Sequence, residues 1–156
     1  MTLFLKTIHT SIIILFFFTT LNTHADYILI TMDESQKNHL KAYGIAYWVL
    51  ENELEVDWLL NYNGGSFLIE EMEEIKLECT YRGVSFEILS KNEAESIYKF
   101  IASPSNNTDI IKLEKAPKIA VYSPKNKQPW DDAVTLALTY SEIPYDIIYD
   151  DEILSD

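Results

Sequence analysis

Asn63-Gly64-Gly65-Ser66 is the stretch whose residue types and spacing come nearest to a ligand cradle. Paired glycines let backbone N–H groups approach a bound polar group closely, and Ser66 adds a hydroxyl where the next element begins. The same residues also suit a Gly-Gly hairpin turn between two strands, and their spacing is neither that of a P-loop nor that of a dinucleotide fingerprint. A second loop, Ser123 to Trp130, gathers Ser123, Lys125, Lys127 and Gln128 into a local basic patch on an acidic chain. It could receive a carboxylate or phosphate, or it is simply a solvated loop, since lysines there are common. Asp33 stands in a third loop, Met32 to Lys37, directly after an apolar run. Asp150-Asp151-Glu152 offers hard oxygen ligands for a divalent cation, and reads equally as a frayed acidic tail. None of these residues names a cofactor or a particular metal.

The remaining chemistry is bounded by what the chain lacks. Its 156 residues hold 12 Lys+Arg against 25 Asp+Glu, a net charge of −13, and such a surface repels nucleic acid and anionic lipid. Arg82 is the sole arginine, which nearly excludes bidentate clamps on phosphate or carboxylate. Cys79, the sole cysteine, has no partner for an internal disulfide and falls with Met72 and Ile75 on a helical apolar face, as an inert core thiol does. The first 25 residues read as a cleaved signal peptide. Lys6 supplies the positive start, Ile12 to Phe18 the apolar core, and Thr23-His24-Ala25 the small-x-small site before Asp26. That core is shorter than the about 20 apolar residues a bilayer span needs, so an exported chain, periplasmic or secreted, is expected, with no stable membrane insertion after cleavage. Cleavage leaves His39 as the only histidine, so neither a histidine-based triad nor a multi-histidine metal site can be assembled within the chain.

The elements that must position these loops follow from periodicity. Tyr27 to Thr31 reads as a strand. Asp33 with Gln36 resembles a capping box that starts a helix bearing Leu40, Tyr43, Tyr47 and Leu50 on one stripe and Ile45, Trp48 and Val49 opposite, so this helix is covered on most sides. Gly44 inside it implies close packing at that turn. Val56 to Leu60 is the next strand, broken by Asn61 to Ser66, with Phe67 to Ile69 a short extension. Glu70 to Arg82 is helical and stops at Gly83. Val84, Phe86 and Ile88 alternate as in a strand with one wet face, and Ser90 with Glu93 forms a capping box for a helix bearing Ala94, Ile97, Tyr98 and Ile101. Ser103-Pro104 opens a connector over 104–117, in which Asp109 to Ala116 is ambiguous. Lys118 to Tyr122, a helix capped by Asp131 or Asp132, and Tyr145 to Tyr149 then form a βαβ unit, with Pro144 blocking any continuation of the helix.

Strands alternating with helices predict an α/β fold. Its expected form is a mostly parallel sheet with helices on both faces, Rossmann- or flavodoxin-like, with a first unit over 26–103 and an incomplete second unit over 118–156. In such sheets ligands bind beyond the carboxyl ends of the strands. That rule selects Asp33, Asn63, Gly64, Gly65, Ser66, Ser123, Lys125 and Lys127 as the candidate lining of one crevice for a small polar molecule.

Two blocks, YILITMDESQKNHLKAYGIAYWVLENELEVDWLLNYNGGSF and KIAVYSPKNKQPWDDAVTLALTYSEIPYDIIYDDEIL, resemble the N-terminal part of an exported bacterial family labelled asparagine synthetase B. The second is also similar to the opening strands of class I glutamine-amidotransferase-like domains. The resemblance implies glutamine-dependent amide transfer. The residues depart from it, because Thr2 rather than a cysteine follows Met1, no nucleotide-pyrophosphatase signature is visible, and no cysteine elbow with a downstream histidine is present. The resemblance therefore implies catalytic residues beyond Asp156 in a truncated or shortened relative. The alternative is a non-catalytic periplasmic module that holds a small polar metabolite. The sequence names no oligomeric state.

Overall fold

The computed structural model describes residues 26–124 and 132–153, so the expected signal peptide and the lysines Lys125 and Lys127 lie outside the described residues. The chain runs β1 (Tyr27–Ile30), α1 (His39–Glu51), β2 (Val56–Leu60), β3 (Ser66–Glu70), α2 (Glu73–Arg82), β4 (Glu87–Leu89), α3 (Lys91–Ile101), β5 (Asp109–Leu113), β6 (Ala120–Tyr122), α4 (Ala133–Ser141), β7 (Asp146–Ile148) and a short α5 (Asp150–Ile153). Two sheets result, one of five strands in the order β4-β1-β3-β2-β5 and one of two strands, β6-β7.

The expected mostly parallel Rossmann- or flavodoxin-like sheet is overturned. Every ladder of the five-stranded sheet is antiparallel, and among the described residues only β6 with β7 pairs in parallel. The physical reason lies in β3. The five residues between Leu60 and Ser66 are enough for a hairpin but far too few for a crossover, so β3 must return beside β2 in the opposite direction. It then fills the slot between β1 and β2. Because both are antiparallel to β3, β1 and β2 point the same way, as their helical connection requires, yet they never touch. The α2 connection repeats the pattern: β3 and β4 run alike, with β1 inserted between them. The first four strands and two helices are thus the split-βαβ, or ferredoxin-like, arrangement. β5, which lies inside the expected 104–117 connector, adds an edge strand beside β2.

Burial follows the alternation of side chains along the strands. Ile28, Ile30, Val56, Phe67 and Ile69 face one side and are covered by Ala42, Ile45, Ala46 and Val49 of α1 and by Ile75 and Cys79 of α2. Leu29, Leu59 and Leu68 face the other side, where α3 alone contributes Ala94, Ile97 and Ile101. Among the described residues α3 is the one helix on this side, and one helix cannot cover five strands, so part of this second face is left open by them.

Local capping explains where the helices start. The Ser90 and Glu93 capping box is present at α3, and Gly83 ends α2. The capping box expected at Asp33 is not formed. Asp33 Oδ1 instead accepts from the Ser35 N–H at 3.0 Å, closing a tight turn, and the buried Gln36 side chain reaches across to Ser85, accepting its N–H at 2.9 Å and donating to its carbonyl at 3.1 Å. With those side chains engaged, α1 begins five residues later than expected. Asn38 caps it by accepting from the Lys41 N–H at 3.2 Å.

In the second unit the expected strand, helix and strand are present as β6, α4 and β7, although Thr135 and Ser141 are buried on α4 while Leu136 and Tyr140 are exposed. Asp132 caps α4 by accepting from the Val134 N–H at 2.8 Å, and α4 connects the parallel pair β6 and β7. This unit packs on α1 through the close approach expected at Gly44, where an added Cβ would sit 1.9 Å from the Ser141 carbonyl oxygen. Around that contact, Glu142 accepts from Lys41 and lies 3.2 Å from Arg82 Nε, while Asn38 donates to the Tyr140 hydroxyl at 2.9 Å. α1 is thereby wrapped by sheet on one side and by α4 on another.

Candidate functional site

Antiparallel pairing of β1 with β3 places Ile30 opposite Phe67, so the end of β1 abuts the β2–β3 hairpin. Asp33, Asn63, Gly64, Gly65 and Ser66 are therefore brought together, although their polar groups are largely occupied by the chain itself. Met32 N–H donates to the Asn63 carbonyl at 2.9 Å, and the Gly65 and Ser66 N–H groups both donate to the Tyr62 carbonyl at 3.0 Å. Ser66, fully buried, donates its hydroxyl to the Tyr62 and Asn63 carbonyls at 3.0 and 3.1 Å. Trp58 Nε1 donates to the Gly65 carbonyl at 3.1 Å. The glycines serve chain packing. Gly64, at φ +81°, passes so close to β1 that an added Cβ would lie 2.3 Å from the Met32 carbonyl oxygen. Asp33 is held below the usual carboxylate range, first by the Ser35 hydroxyl and then by the Ser35 N–H. His39 Nε2 lies 3.2 and 3.0 Å from the Met32 and Asp33 carbonyl oxygens. This end of the sheet is a self-satisfied hairpin turn, the second of the two structures its sequence allowed.

Ser123 lies apart from this group. It follows β6 and is buried, with its N–H donating to the Ile148 carbonyl at 2.9 Å across the parallel pair. The single crevice expected to join it to Asn63–Ser66 depended on one continuous parallel sheet, which the chain does not form.

At the opposite end of the five-stranded sheet, where Tyr27 pairs with Glu70, the uncovered part of the second face forms a cleft of about 510 Å³. Its floor comes from β3 and the neighbouring turns, through Leu54, Leu68, Ile69 and Met72. Tyr27 and Tyr98 contribute aromatic walls, and Glu53, Glu55, Asp57, Glu70 and Lys112 contribute charge. Strand register builds this set, because Asp57 stands between Leu68 of β3 and Lys112 of β5 in neighbouring ladders. Above it, Tyr98 of α3 donates its hydroxyl to Asp57 Oδ2 at 2.6 Å. Lys112 Nζ lies 2.6 Å from Glu55 Oε2, with both side chains more than half exposed.

Electrostatics limits what these groups can do. Burial, and after it the hydrogen bond to Asp57, pushes the Tyr98 phenol well above its ordinary value, so it is a donor and not a base at neutral pH. The Lys112 ammonium is raised by its hydrogen bond to Glu55 and stays charged. Cys79 lies in the core on the other face of the sheet, where burial pushes its thiol up to about 12, far from nucleophilic range. Among the described residues, no three His, Cys, Asp or Glu side chains converge to hold a metal ion. The cleft can grip a polar ligand, but it presents no activated nucleophile and no histidine.

The sequence carried only a faint signal for this site. Glu55 and Asp57 flank Val56 with the period of a strand's wet face, Tyr98 sits beside the core residue Ile97, and Lys112 falls in the ambiguous segment 109–116. Comparison with protein-family models, with curated proteins and with solved structures finds no match to this chain.

Proposed function

We propose that this protein is an exported module that binds a small polar metabolite in the Tyr98–Asp57 cleft and releases it unchanged. The observation that carries this reading is the cleft itself: a concavity of about 510 Å³ with an apolar floor from Leu54, Leu68, Ile69 and Met72, aromatic walls and a strongly charged edge, without a group poised for proton or acyl transfer. Export is supported by the signal-like first 25 residues and by Asp26. Its carbonyl accepts from the Glu71 N–H at 2.8 Å, so the residue directly after the expected cleavage point is tied into the sheet's edge. Among the described residues no helix is long and apolar enough to cross a membrane.

A thermal-shift screen of polar metabolites tests this reading. A ligand that binds only the native state raises Tm with its concentration. The same ligand should leave Met72→Trp unshifted, because Met72, partly exposed, lines the cleft and a larger ring there fills it. Recovery of the ligand intact after prolonged incubation is expected, and its conversion would replace the binding reading with an enzymatic one.

One observation favours a second reading. The parallel β6–α4–β7 unit has the form of the first strands of an amidotransferase-like domain, so the likeness to the family labelled asparagine synthetase B stands as a proposal about ancestry. It predicts that the coding sequence downstream holds a cysteine on a strand-helix elbow.

A further inference from the structure

We infer that the ligand of the cleft carries a protonated aliphatic amine. The inference rests on the reading of this cleft as the binding site and adds the chemistry it selects. Among the described residues, four carboxylates, on Glu53, Glu55, Asp57 and Glu70, line the cavity against a single cation, Lys112, which is already paired with Glu55. That leaves an excess of negative charge in a concave site, where field lines are focused and cations are concentrated.

The geometry narrows the choice of cation. Asp57 Oδ2 is occupied by the Tyr98 hydroxyl, while Oδ1 takes no hydrogen bond among the described residues and is left for an incoming donor. The absence of a converging set of three ligating side chains disfavours a bare metal ion, whereas an ammonium needs only one or two carboxylates and gains from nearby aromatic rings, here Tyr27 and Tyr98. Leu54, Leu68 and Met72 offer apolar surface to the methylene chain that separates amine groups.

Titration calorimetry with putrescine on the purified protein tests this, with the uncharged 1,4-butanediol and the amine-free dianion succinate as comparators. Putrescine should bind and weaken with added salt, and neither comparator should bind. Asp57→Asn, which keeps the shape and an acceptor for Tyr98, should weaken putrescine about tenfold, the worth of a charge-assisted hydrogen bond. Glu70→Gln, at an exposed site where folding is not at risk, should weaken it less. Glu34→Gln removes one carboxylate from the opposite end of the sheet and should leave binding unchanged; equal weakening by Glu34→Gln and Asp57→Asn would mean a diffuse field and overturn the inference. Absence of putrescine binding overturns it too. If a neutral or anionic metabolite binds the parent and not Met72→Trp, the cleft reading survives and the amine assignment fails. If putrescine binds Met72→Trp as well as the parent, the cleft reading itself fails.

Discussion

The two ends of the five-stranded sheet put their polar groups to opposite use. At the hairpin end, glycines, asparagines and serines crowd against the end of β1, and the turn's polar atoms bond largely to its own backbone. At the cleft end, charged side chains that alternate with core residues along β2, β3 and β5 stay open because α3 covers only part of that face. The difference shows that a glycine-rich loop marks where backbone must approach something closely, and that the something here is the neighbouring strand. Openness at the other end comes from a shortage of covering helices.

Breaking the hairpin end should produce the largest effect. Gly64→Val forces a β-branched residue to φ +81° and drives its Cβ to 2.3 Å from the Met32 carbonyl oxygen, with the Met32 and Asp33 backbones also within 3 Å. Neither neighbour is a flexible side-chain tip, so the turn must come away from β1, at a loss of about 3 kcal/mol or more in urea unfolding. Gly65→Val shares the strained φ, but its Cβ would meet only Trp58 Nε1 at 3.4 Å, so it should lose less. A Gly64→Val protein as stable as its parent would show that the hairpin is not pressed against β1.

How much of this was legible in the sequence depends on whether the signal was local. The capping box of Ser90 and Glu93, the Asp132 cap and the close packing at Gly44 are all local, and the structure contains each. Helical crossovers between like-directed strands were legible too. Strand order was not, because periodicity reports which face a residue takes and says nothing about which strand lies beside it. Phe67 to Ile69, read as an extension of β2, is the strand that separates β2 from β1 and makes the sheet antiparallel. β5 was ambiguous because an edge strand buries little: of Asp109–Leu113, only Ile110 and Leu113 are even partly buried. The cleft was illegible for the same reason, since Asp57, Tyr98 and Lys112 come from three elements joined only by that strand order.

At the cleft end the expected effects on stability are smaller. Tyr98→Phe removes the hydrogen bond to Asp57 and should cost about 1–2 kcal/mol at neutral pH. It should also change the alkaline limb of the stability curve. The Tyr98 phenol is raised in the folded state above its unfolded value near 10, so the stability it contributes is complete below about pH 10 and is lost as the pH rises beyond that. Urea midpoints at pH 8 and above pH 10 should therefore fall more steeply for the parent than for Tyr98→Phe. Parallel curves would show that Tyr98 does not hold its proton against Asp57.

The smallest structural effect and the sharpest functional contrast belong to Lys112→Ala. Its ion pair with Glu55 is surface-exposed and screened, so the urea midpoint should stay where it is. Binding should move in the opposite direction from every other cleft variant. With the one competing cation gone and Glu55 freed, putrescine should bind about threefold tighter at low salt, and the gain should shrink as salt screens it. The hairpin end offers no counterpart, because its polar atoms are held by backbone that no ligand displaces. If Lys112→Ala instead abolishes binding, Lys112 is holding an anionic group of the ligand, and the carboxylates around Asp57 serve to position that lysine.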